Sequence, residues 1–99
     1  RLAKEFENFV RNDSRFEIFY EVLLGLVCFR LKGTNELNEK LLHMINHGGI
    51  IHLVPGTVKG IYFLRFAICS QYTESHDVAL SWDVVKKAAT DLLKNEIEN

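Results

Sequence analysis

Two nearly unbroken apolar segments constrain the fold of this chain more than any other sequence feature. They cover residues 24–31 and 61–69, and each contains one charged residue, an arginine. Short runs rich in aliphatic and aromatic residues are typical of β-strands that are buried on both faces. We therefore expect both segments to form strands, with residues 61–69 at the centre of a sheet.

The periodicity of the remaining sequence predicts three helices and two more strands. Apolar residues at steps of three and four indicate helices over residues 2–10, 37–45 and 78–92. Alternation predicts a half-exposed strand at 16–22 with a bend near 23–25, and residues 50–54 read as a short strand that ends at Pro55-Gly56. The order α-β-β-α-β-β-α predicts one α+β domain over residues 1–99, with a four-stranded, mainly antiparallel sheet and helices on one face.

The overall composition argues against two classes of binding partner. The chain is 47% hydrophobic and 25% charged with a net charge of −1, and its charges of both signs are interleaved, which argues against nucleic-acid and membrane partners.

Cys28 and Cys69 each lie inside an apolar run, as reduced thiols of a cytoplasmic protein do. A disulfide between neighbouring strands is the less favoured alternative.

The histidines are the first candidates for chemistry. His43 and His47 are four residues apart on the second predicted helix, and His52 follows on the next strand, a spacing that zinc sites use. A zinc-protease helix would carry glutamate after the first histidine, where this chain has Met44. We therefore favour a partly solvated helix end, expect no metal, and find no residue set for catalysis.

The two arginines within the predicted strands are stronger candidates for a specific role than the histidines, because a guanidinium in an apolar run must be paired or reach water. For Arg30 we expect a structural role, either an ion pair with a carboxylate such as Glu17 or Glu21 or an outward side chain at the strand end. Arg65 lies in mid-strand, where strand alternation places it away from the helices. It either pairs within the structure or faces an anionic ligand across a domain boundary.

Four segments taken together resemble one known family. In order and separation they resemble the C-terminal region of the animal aromatic-L-amino-acid decarboxylases, and the resemblance covers essentially the whole chain. The segments are Arg-Phe-Glu-Ile at 15–18, Gly-Leu-Val-Cys-Phe-Arg-Leu-Lys-Gly at 25–33, Ile-His-Leu-Val-Pro at 51–55 and Leu-Arg-Phe-Ala-Ile-Cys-Ser at 64–70.

The resemblance implies the small domain of a fold-type-I pyridoxal-phosphate enzyme, a cytoplasmic homodimer. Such a lyase converts dopa, 5-hydroxytryptophan or tyrosine to the amine and carbon dioxide, as in catecholamine biosynthesis. The family's cofactor lysine follows a histidine, and no His-Lys pair occurs here. The resemblance therefore implies that a missing large domain binds the pyridoxal phosphate, and that this chain alone is inactive.

Arg65 matches an arginine that lies close to the substrate in the related glutamate decarboxylases. The resemblance thus implies a substrate-proximal or domain-interface role for Arg65, with no catalytic or cofactor-binding residue in the segment. Aromatic acetaldehyde synthases and histidine decarboxylases share this region and stay open as alternatives. A freestanding regulatory α/β module that binds a small ligand is the alternative from another class.

Overall fold

The computed structural model describes residues 2–23, 25–68 and 74–98 of the chain. Its helices are α1 (Leu2–Arg11), α2 (Asn35–Gly48) and α3 (Ser75–Glu98), and its strands are β1 (Phe16–Leu23), β2 (Leu26–Leu31), β3 (Val54–Val58) and β4 (Ile61–Ala67). The predicted order of elements is confirmed.

The strands form one antiparallel sheet in the order β1-β2-β4-β3. The inner strands β2 and β4 are the two apolar segments, as expected, and each is paired on both edges. The predicted α+β class with a four-stranded antiparallel sheet is therefore confirmed.

All three helices bury their apolar stripes on the same side of this sheet. Phe6 of α1 is fully buried, and its ring contacts Phe29 of β2, Phe66 of β4 and Trp82 of α3, with ring centroids 4.8–5.7 Å apart. Burial of one such ring contributes about 1.5–3 kcal/mol. Helix α3 packs against both α1 and α2. The core also includes Val10, Phe16, Val27, Leu31, Leu41, Ile45, Leu64, Val78, Val85 and Ala89.

The third strand differs from its prediction. We expected a strand at residues 50–54 that ended at Pro55-Gly56, but β3 begins at Val54 and contains both residues. The backbone N–H and C=O of Leu53 bind the side-chain amide of Asn46 at 2.7 and 2.9 Å, and so are not free for a strand ladder. Pro55 is tolerated inside β3 because an edge strand has one side without ladder partners.

Strand β1 also departs from regular pairing, but earlier than predicted. Its register with β2 shifts between Ile18 and Tyr20 and again between Tyr20 and Leu23. The expected bend near residues 23–25 therefore lies inside the strand, and β2 begins at Leu26; residue 24 lies outside the described residues. An extra residue on one strand bends it and increases its local twist.

A buried asparagine attaches α2 to the sheet. The side-chain amide of Asn38 is fully buried, accepts a hydrogen bond from Leu31 N–H at 2.8 Å and donates to Leu31 C=O at 3.0 Å. It also donates to the carbonyl of Thr34, the residue that caps the helix. These bonds satisfy the backbone N–H and C=O of Leu31, the last residue of β2, which would otherwise be buried without partners.

Replacing Asn38 with leucine should destabilise the chain by about 2–4 kcal/mol, because two buried backbone groups lose their partners. Asn8→Ala, at an exposed position of α1, should change stability by less than about 0.5 kcal/mol. Urea unfolding of the protein that contains each substitution measures both values. Equal stability of the two variants would show that the Asn38 amide is dispensable.

Candidate interface site on the second sheet face

The sheet has a second face, opposite the three helices, whose composition follows from strand register. Directly paired residues of an antiparallel sheet project to the same side. The pairs Glu17–Arg30, Cys28–Arg65, Val54–Arg65 and Gly56–Phe63 therefore all project away from the helical core. We call this surface the second sheet face: Glu17, Phe19, Leu26, Cys28, Arg30, Val54, Gly56, Phe63, Arg65 and Ala67.

Two phenylalanines cover the middle of the second sheet face. The ring of Phe63 stacks on that of Phe19, with centroids 4.7 Å apart and planes 21° from parallel. Phe63 is only 4% exposed, although no helix covers it. A Cβ atom at Gly56 would lie 2.5 Å from the Phe63 ring, so the ring occupies the space that only glycine leaves. The aromatic pair thus separates the face into an Arg30 side and an Arg65 side.

Arg30 is satisfied by its own domain. Its guanidinium donates to the carbonyl of Tyr62 at 3.0 Å, the carbonyl of Gly33 at 3.2 Å and the side-chain oxygen of Asn35 at 3.3 Å. It also contacts the carboxylate of Glu17 at 3.5 Å, which confirms the ion pair predicted with that residue. Arg30 is therefore a structural residue that links β1, β2, β4 and the start of α2.

Arg65 has far fewer partners. Its Nη2 donates to the backbone carbonyl of Pro55 at 3.1 Å. Its Nε atom is buried and has no hydrogen-bond partner among the residues described. No described carboxylate lies within ion-pair distance of it. The side chain projects away from the helical core, as strand alternation predicts.

A small cavity lies beside this guanidinium. Its volume is about 220 Å³, and its walls are Leu26, His52, Val54, Arg65 and Ala67. Three of the lining residues are apolar, and His52, Val54 and Ala67 are exposed, so the cavity is open to solvent in this segment. The cavity thus combines a permanent positive charge with a histidine and apolar walls, a setting suited to an anion.

Cys28 faces Arg65 across the β2–β4 ladder but is not a reactive thiol. Burial raises the pKa of Cys28, and the nearby positive charge of Arg65 only partly offsets this effect. The thiol therefore stays protonated near neutral pH, and a thiol is a far weaker nucleophile than a thiolate. Cys69, the other half of the alternative disulfide, lies outside the described residues.

The histidine cluster is not assembled. His43, His47 and His52 are all exposed, and among the described residues no group of three His, Cys, Asp or Glu side chains could hold a metal ion. The structure instead places His52 in the wall of the Arg65 cavity. From the sequence, His52 was considered only as a metal ligand. Its position two residues before Val54 indicated that it lies next to the second sheet face.

The lysines of this segment lack the setting of a cofactor attachment site. All seven are exposed, whereas a lysine that reacts with pyridoxal phosphate needs a desolvated setting that releases its proton. The described residues therefore do not fit the cofactor's attachment site.

Within the part of the chain that the structure describes, no helix has the length and apolar composition to cross a membrane.

The sequence is similar to those of known enzymes. Over 94 residues it is 54% identical to the aromatic-L-amino-acid decarboxylase of Manduca sexta, a match that covers 95% of this chain and 18% of that protein. The chain belongs to the aromatic-L-amino-acid decarboxylase family. It spans about a fifth of the length of the curated relatives that it matches. No protein-family model matches it.

Solved structures show the same arrangement within larger family members. Tryptophan decarboxylase of Catharanthus roseus, in complex with L-tryptophan, superposes with a TM-score of 0.87 at 45% identity, covering 92% of this chain and 20% of that one. The Oryza sativa TDC with PLP and tryptamine gives 0.86 at 34%, covering 92% and 21%. The 4-hydroxyphenylacetaldehyde synthase of Rhodiola rosea gives 0.84 at 32%, covering 91% and 21%. In each of the three, the matching arrangement makes up about a fifth of a longer chain.

The aromatic pair on the second sheet face is testable at Gly56. Gly56→Ala should displace the Phe63 ring and cost about 1–3 kcal/mol, because the new methyl group overlaps it. Gly48→Ala is the matched control, since no atom lies within 4 Å of its added Cβ atom, and it should be neutral or stabilising. Thermal unfolding compares the two variants, and equal melting temperatures would refute the packing of Phe63 on Gly56.

Proposed function

We propose that this chain is the C-terminal small domain, residues 1–99, of a pyridoxal-phosphate-dependent decarboxylase of aromatic L-amino acids. The full-length enzyme converts dopa, 5-hydroxytryptophan or tyrosine to the corresponding amine and carbon dioxide. The observation that supports this most strongly is the match over 95% of the chain at 54% identity to an aromatic-L-amino-acid decarboxylase. A relative solved with L-tryptophan, and another with PLP and tryptamine, support the substrate class and the cofactor.

In this proposal, residues outside this segment bind the cofactor and carry out the reaction. Residues of the large domain would hold pyridoxal phosphate, which would supply an electron sink for the amino acid's α-carbon. Every lysine of this segment is exposed, which supports the absence of the cofactor's attachment point. The segment contributes the second sheet face, on which Arg65 is substrate-proximal or lies at the domain interface.

The family resemblance also supports a cytoplasmic homodimer that takes part in catecholamine biosynthesis. The freestanding regulatory module is less favoured, because the curated relatives contain this sequence as about a fifth of a longer enzyme. Among enzymes, an aromatic acetaldehyde synthase is the second candidate, supported by the similarity to the Rhodiola rosea protein. A histidine decarboxylase is the third alternative that the resemblance leaves open.

The full-length protein with pyridoxal phosphate should release carbon dioxide and an amine from dopa, 5-hydroxytryptophan or tyrosine, but not from histidine. Mass spectrometry of the products, with carbon dioxide release measured in parallel, tests this. An aldehyde together with hydrogen peroxide and ammonia would favour the synthase, and histamine would favour the third alternative. Turnover of none of these four amino acids would contradict the proposed function.

The 99-residue chain by itself should show no decarboxylase activity and no stable pyridoxal phosphate adduct, because it lacks a buried lysine. Visible absorbance after excess cofactor is removed measures adduct formation. A stoichiometric band that disappears on mutation of one lysine would show that the cofactor site lies in this segment after all.

A further inference from the structure

We draw no further inference here: the strongest candidate, the cavity beside Arg65 and His52 on the second sheet face, is open to solvent in this segment, and nothing in the part of the chain that the structure describes shows what occupies it.

Discussion

The antiparallel pairing of β2 with β4, from Leu26–Ala67 to Phe29–Leu64, determines which residues face each side of the sheet. This register places Phe29 and Leu64 together under the helices and places Cys28 opposite Arg65 on the second sheet face. A shift by one residue would exchange the two sets, burying Arg65 in the helical core at a prohibitive desolvation cost. The pairing of β2 with β4 therefore determines both the helical core and the second sheet face.

The two faces are stabilised by different means. Under the helices, Phe6 and Trp82 join a dry aromatic and aliphatic core. On the second sheet face, Phe63 is buried by Phe19 and by the absence of a side chain at Gly56. Arg30 is satisfied locally, whereas the Nε atom of Arg65 is not. The segment therefore completes its own core, while an aromatic pair and two arginines lie on its other face.

Much of this arrangement could be predicted because it depends on local patterns. The two apolar segments marked the inner strands, and strand alternation assigned Arg65 to the face away from the helices. A structural ion pair of Arg30 was expected from the cost of an unpaired guanidinium in an apolar strand, although the sequence did not distinguish Glu17 from Glu21.

What could not be predicted depends on contacts between residues far apart in the sequence. Strand β3 begins at Val54 because the Asn46 amide binds the Leu53 peptide, and no pattern within residues 50–54 reveals that competition. The packing of Phe63 over Gly56 requires the β3–β4 register, and the place of His52 beside Arg65 requires the three-dimensional fold. The family resemblance supplied the cofactor and the large domain, which no residue of this segment displays.

The central claim is that the rest of the enzyme covers the second sheet face, and labelling at Val54 tests it most directly. Val54 is 43% exposed in this segment. In the full-length folded protein, a cysteine introduced as Val54→Cys should react with a thiol reagent far more slowly than Ser14→Cys in the exposed turn after α1, and equally fast after unfolding. Site-resolved mass spectrometry separates both from the native cysteines. Equal labelling of positions 54 and 14 in the folded enzyme would contradict the account.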